Sequence, residues 1–171
     1  MDQFQEILDH HEIEAIADVR RFPGSRRHPQ FGQDALRASL TKANRSYLWL
    51  PSLGGRRNPS PDSPNTGWRN ASFRAYADHT STEEFAEGLF DLLTMARGLR
   101  TAIMCAEAVW WHCHRGIIAD VLCVSGVLVG HITDKGPATM HPYTQPARIV
   151  DGRLSYEARD TDQLSLTTLD P

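Results

Sequence analysis

Residues 100–132 limit what this chain can fold into more than any other stretch. Thr101 to Cys105 is a short apolar run suited to a buried strand. Gly116 to Ser125 carries Ile117, Ile118, Val121, Leu122 and Val124 at helical spacing, and Gly126 supplies a stop. Val127 to Ile132 then reads as a second buried strand. The order strand, loop, helix, strand predicts an α/β domain with a mostly parallel sheet. It also places Cys105 and Glu107 at the carboxyl end of a strand, with His112, Cys113, His114 and Arg115 in the loop and first helical turn. In an open parallel sheet that edge is where ligands bind.

Two thiols, a carboxylate, two imidazoles and a guanidinium thus fall within eleven consecutive positions. The amino end of a helix favours thiolates and anions through its free N–H groups and its dipole. Arg115 adds a planar fork for phosphate or carboxylate. The plainer alternative makes Cys105 a small core residue, Glu107 and Arg115 a structural ion pair, and Trp110 with Trp111 a packed lid. Charged groups seldom crowd a strand end without a partner to serve, which favours a site. A shared site requires the two sulfurs to lie within about 10 Å, the outer limit for a common metal or disulfide.

Upstream, Asp2 to Glu12 reads as a helix with Phe4, Ile7 and Leu8 on one face and Asp2 as N-cap. Ile13 to Val19 is a strand ending in Asp18, Arg20 and Arg21, followed by a Pro- and Gly-containing loop that carries Arg26, Arg27 and His28. If the two strands are parallel, Asp18-Val19-Arg20 and Cys105-Ala106-Glu107 share one edge. Gln33 to Asn44 is a helix with Leu36 and Leu40 inward, and Ser46 to Leu50 a strand. Asn58 to Thr66, with three prolines and no apolar residue, is a loop of the kind that serves as a lid. Trp68-Arg69 and Phe73-Arg74-Ala75-Tyr76 interleave aromatics with arginines, a pattern that stacks on bases or clamps phosphates; the alternative is a surface helix burying Phe73 and Tyr76. Thr82 to Arg97 is the clearest helix, capped by Thr82, with Glu83 and Glu84 in its first turn and Phe85, Leu89, Leu92 and Leu93 inward. Past Ile132 the chain reads as an irregular segment folded against the sheet, with a hairpin turning at Asp151-Gly152.

The net charge of −3 hides an asymmetry. From Arg20 to Arg74 eleven basic residues face two acidic ones; the remainder has seven basic and nineteen acidic. Such a segment, gathered on one face, is an electrostatic footprint for phosphates or a nucleic-acid backbone. The use of sixteen arginines against two lysines is what base composition alone would give, but it does not explain their concentration in one third of the chain. No apolar run approaches the ~20 residues of a membrane span and no signal peptide is apparent, so the expectation is a cytoplasmic protein without a membrane partner. Three cysteines argue against a secreted disulfide framework. The expected domain is residues 1–156, with 157–171 a C-terminal tail.

Five short motifs occur in a familiar order: Asp18-Val19-Arg20 with Pro23-Gly24-Ser25; Leu53-Gly54-Gly55-Arg56; Trp68-Arg69-Asn70 with Phe73-Arg74 and Tyr76-Ala77-Asp78; Met104-Cys105-Ala106-Glu107; and Cys113-His114-Arg115 with Ile118-Ala119-Asp120, closing on His131-Ile132. This series resembles the bacterial domain-of-unknown-function family 488 over about residues 2–156. The resemblance implies a Rossmann-like three-layer sandwich in the cytoplasm, without an established biochemical activity. Members of that family begin with a strand carrying a Thr-Ile-Gly-His-Ser-like motif, whereas this chain starts at the following helix. The resemblance therefore implies a sheet lacking a central first strand.

Three functional readings follow. In the first, an enzyme acts on a nucleotide or nucleic acid: Arg20, Arg26, Arg56, Arg69 and Arg115, with Tyr76, bind the substrate, Cys105 or Cys113 is the nucleophile, and Glu107, Asp18 or His114 moves protons. In the second, Cys105, Cys113 and His114, joined by Glu107 or His112, hold a metal, although Cys-x7-Cys-His matches no common zinc-finger or deaminase spacing. In the third, the chain is a non-catalytic module for nucleic acid or an anion. The sequence by itself specifies no cofactor. It also leaves no room in Cys113-His114-Arg115 for the anion-wrapping loop of a thiol phosphatase or rhodanese.

Overall fold

Alternation along three four-residue strands sorts the core into two layers. The computed structural model describes residues 1–158; the tail from 159 onward lies outside the described residues. Strands β1 (Ala15–Asp18), β2 (Ser46–Trp49) and β3 (Thr101–Met104) form an all-parallel sheet in the order β2-β1-β3. Ile16, Tyr47, Ala102 and Met104 point to one face, where helices α1 (Asp2–His10) and α2 (Gln33–Lys42) supply Leu8, Leu36 and Leu40. Ala17, Val19, Leu48 and Ile103 point to the other. There α3 (Ala71–His79), α4 (Glu83–Ala96) and α5 (Arg115–Val124) supply Tyr76, Phe85, Leu92, Ile117 and Ile118. Helices on both faces of a parallel sheet make this an α/β protein. β1 is hydrogen-bonded on both sides, in register Ala15↔Ser46 and Ala15↔Thr101, so no strand position stands open beside it.

The helix starts follow capping chemistry. Thr82 Oγ1 accepts the Phe85 N–H at 3.2 Å and Asn70 Oδ1 accepts the Ser72 N–H at 2.8 Å. At α1 the cap is Met1, with Asp2 in the first turn rather than at the cap. Gly88 lets α4 ride directly on the 3-10 turn Pro51–Leu53, for a Cβ there would stand 2.3 Å from Ser52 Oγ and 2.9 Å from Leu53 Cγ. Gly88→Ala is therefore expected to cost about 1–3 kcal/mol by overpacking, read as a lower midpoint of urea unfolding.

Several expectations are corrected. Only Gly130–His131 of the stretch 127–132 forms a strand, β4. It pairs antiparallel with β5 (Thr139–Met140) outside the main sheet, and Leu128 is 87% exposed. Apolarity alone overrated this stretch, because its residues have no parallel neighbour to pair with. The segment beyond it is tied to the end of α1 through Asp134 and Lys135, which meet His11 and Glu6, and then to α5. Asp120, fully buried on α5, accepts hydrogen bonds at Oδ1 from His141 Nε2 and the Thr144 N–H, and at Oδ2 from Thr144 Oγ1 and Tyr156 O–H. The hairpin of β6 (Arg148–Val150) and β7 (Arg153–Ser155) turns at Asp151-Gly152, both at positive φ, as a two-residue turn requires. The loop 58–66 is tied down by Asp78 Oδ1, which accepts from Ser63 Oγ and Asn65 Nδ2. Among the described residues no helix is long and apolar enough to cross a membrane.

Candidate functional site

The parallel register ends β1 and β3 at one edge, so Val19 and Cys105 leave the sheet side by side; the Val19 N–H bonds the Met104 carbonyl at 3.0 Å. The chain returns to this edge through the 3-10 turn Trp110–His112 and enters α5 at Arg115. Cys105 Sγ, Cys113 Sγ and one nitrogen of His114 consequently lie within 4.8 Å of one another. The expected neighbourhood of the two cysteines is met well inside 10 Å. Cys113 Sγ and His114 Nδ1 are 3.7 Å apart.

His114 is oriented from the far side. Its Nε2 lies 3.1 Å from the Val19 carbonyl, which can only accept, so Nε2 carries a proton and Nδ1 faces the sulfurs. The ring packs against Tyr76 at 4.8 Å and beneath Gly55, where a Cβ would stand 3.0 Å from Nδ1. Gly55→Ala is expected to displace the imidazole and loosen the three-atom cluster, with little change in stability. Thiol alkylation rates and metal affinity, measured beside thermal melting, would separate the two effects.

The two thiols differ in charge. Cys113 is held down to about 6, chiefly because it accepts the Cys105 S–H. Burial opposes this, while the Arg115 amide and guanidinium favour the thiolate. Arg115 N and Nε lie 3.5 and 3.4 Å from Cys113 Sγ. Cys105 is pushed up to about 12, first by the hydrogen bond with Cys113 and then by burial. The thiol that lines the cavity is Cys105, where the thiolate is disfavoured, and Cys113, where it is favoured, is 3% exposed behind it.

That cavity, about 600 Å³, opens beside Cys105 and His114 and is lined also by Arg20, Arg21, Arg56, Glu107 and Arg115. Arg56 adopts φ 61°, unusual for a residue with a Cβ, and its guanidinium sits 6.0 Å from the ring centre of Phe22, itself 67% exposed. Glu107 is exposed, and its backbone carbonyl, not its carboxylate, receives Arg115 Nη2 at 2.5 Å.

Other expected site residues lie elsewhere or are already engaged. Asp18 is fully buried: Oδ1 accepts from Arg20 N and Nε, Oδ2 from Arg20 Nη2 and Tyr47 O–H, which leaves no oxygen free for proton transfer. Arg20 directs its third guanidinium nitrogen to the Phe31 carbonyl at 2.8 Å, so each of its three nitrogens is engaged in holding the cavity wall. Tyr76 is core, with its hydroxyl donated to the Leu53 carbonyl at 2.7 Å. Trp68 stacks on Phe73 at 4.9 Å and Arg74 bonds the Trp68 carbonyl, so this aromatic–arginine pattern faces inward. Arg69 is exposed and away from the cavity. Arg26 is exposed in the loop whose Ser25 and His28 line it. His112 is outside the three-atom cluster. Arg21, the Val19 carbonyl and Gly55 were missed; only the Gly54-Gly55 pair carried a visible signal, a backbone kept bare for close approach.

The model of a family described as "Domain of unknown function DUF488" matches residues 1–122, which include every residue of this cluster. No curated protein and no solved structure matches the chain.

Proposed function

We propose, for a chain that belongs to the family described as Domain of unknown function DUF488, an enzyme that holds a zinc-class ion through Cys105, Cys113 and His114 and acts on a phosphate-bearing substrate. The observation that carries this reading is the convergence of three ligand atoms within 4.8 Å, with His114 Nε2 bonded outward to a carbonyl. Zinc accepts thiolate and imidazole at about 2.3 and 2.0 Å in a tetrahedron, which sets sulfur and nitrogen roughly 3.5 Å apart, close to the 3.7 Å between Cys113 and His114. A carbonyl on the distal imidazole nitrogen is the usual outer partner of a metal-bound histidine.

Cys105 and His114 border the cavity while Cys113 does not, so an ion held by these three residues would be open to the substrate space, as in catalytic rather than closed structural sites. An ion there supplies Lewis acidity and a water acidified toward neutral pH. Two thiolates neutralise a divalent cation. Arg115, Arg56 and Arg21 then leave the cavity positive, which suits phosphate oxygens. Glu107, an exposed carboxylate on the same wall, is the residue that would act as general base, accepting a proton at its carboxylate from an attacking water.

The decisive experiment is metal content by mass spectrometry on protein purified without chelator or affinity-tag metal, with a parallel count of reactive thiols. About one zinc per chain, with Cys105 and Cys113 protected from alkylation, is the expected result; hydrolysis of bis(4-nitrophenyl) phosphate is then the first activity to assay. A metal-free protein with one thiol reacting rapidly would sink the metal centre and favour a thiolate nucleophile. The exposed Phe22 beneath Arg56 favours a second reading, a module that binds single-stranded nucleic acid by stacking. Fluorescence anisotropy with a short oligonucleotide tests it, because binding of that kind falls steeply with salt.

A further inference from the structure

Behind Arg115 lies a second cavity, of about 350 Å³, walled by Leu92, Leu99, Leu122 and Val127, with Arg115 and His131 also on its lining. Its size is that of a small-molecule pocket. His131 stacks face to face on Trp110 at 4.4 Å, and its Nε2 lies 2.8 Å from His141 Nδ1. His141, wholly buried, turns its Nε2 to Asp120 Oδ1 at 2.9 Å. The proton positions follow from this chain. The Asp120 carboxylate can only accept, so His141 Nε2 carries a hydrogen. Neutral His141 then has a bare Nδ1, and His131 Nε2 must donate to it. His131 Nδ1 is left with a lone pair and no protein partner among the described residues.

We propose that this cavity is a second site, one that binds an apolar molecule bearing an acidic O–H, such as a phenol, and removes its proton through His131 and His141. The ligand O–H bond breaks and its proton goes to His131 Nδ1. His131 passes its Nε2 proton to His141 Nδ1, the positive charge comes to rest on His141 against the Asp120 carboxylate, and the ligand anion is held near Arg115. The groups around the array support this. Burial first, and then the charge of Arg115 and of His141 once it has taken the proton, hold His131 down to about 4, so His131 hands the proton on rather than keeping it. Asp120 is further fixed by Thr144 and Tyr156, and Tyr143 packs at the outer side of His141. The inference does not depend on a metal at Cys105, Cys113 and His114.

4-Nitrophenol is the probe, because its anion absorbs in the visible and the neutral form does not. With wild-type protein, at a pH where the free phenol is mostly neutral, addition of protein should raise the phenolate band saturably. His131→Phe, which keeps the stack on Trp110, should abolish the rise. His141→Gln keeps an N–H for Asp120 but cannot take the charge; it should still bind the phenol, seen by ligand-observed NMR, with at least a tenfold smaller phenolate band. Imidazole nitrogen NMR of the unmutated protein should show both rings protonated at Nε2 and bare at Nδ1. No saturable binding at millimolar phenol, binding of the neutral form only, an unchanged band in His131→Phe, or a proton on His131 Nδ1 in the free protein would each overturn the proposal.

Discussion

Asp120→Ala is expected to cost about 3–5 kcal/mol of folding stability, the range for removing one partner of a buried charged cluster. The carboxylate is fully buried and accepts four hydrogen bonds from three side chains and one backbone amide, all from residues 141–156. Truncation leaves His141, Thr144 and Tyr156 without their acceptor and detaches the last segment from α5. Asp120→Asn should be much milder, roughly 1–2 kcal/mol. Its oxygen can stay toward the Thr144 amide, which can only donate, and His141 Nε2, which donates in its present tautomer, while its amide nitrogen faces the hydroxyls of Thr144 and Tyr156, which can turn to accept. Urea unfolding of the two variants checks the ranking; equal losses would mean that charge, rather than acceptor geometry, holds the segment.

Cys113→Ser is expected to lower zinc affinity by more than the about 10–100-fold that follows disturbance of an outer partner of a metal site, since it removes a ligand atom itself. The fold should survive it. Cys113 is buried, serine is close to it in volume, and the hydroxyl can accept the Arg115 amide N–H that now approaches Sγ at 3.5 Å. Competition with a chromogenic chelator gives the affinity, and a thermal melt in excess chelator gives stability apart from the metal. A variant that binds zinc as tightly as the unchanged protein would remove Cys113 from the ligand set. Loss of Glu107, by contrast, should leave affinity nearly intact, because its carboxylate is not among the three converging groups.

How much of this was legible in advance depended on the range of the interactions. Helix α4, with its Thr82 cap, acidic first turn and apolar stripe, and the Asp151-Gly152 hairpin are set by contacts within a few residues, and both appear where the pattern puts them. The placing of Cys105, Cys113 and His114 at one strand end also followed from local order alone: a strand, a loop too short to travel far, and a helix start.

Tertiary structure decided which polar residues were already taken. Asp18 and Arg20 looked free at a strand end, and the fold closes them on each other and on Tyr47 and Phe31. Tyr76 read equally as a base-stacking ring or as a buried residue of a surface helix, and the packing of α3 decides for the second, setting it in the core behind His114. Val127 to Ile132 had the composition of a strand, but a strand is completed by a neighbour, and β4 found its partner in residues 139–140. Periodicity, caps and turns are written locally, because φ/ψ preference and side-chain spacing act over a few residues. Which donor meets which acceptor was settled by packing, because a buried carboxylate or imidazole is satisfied by whatever the fold brings within 3 Å, and nothing in its sequence neighbours encodes that partner.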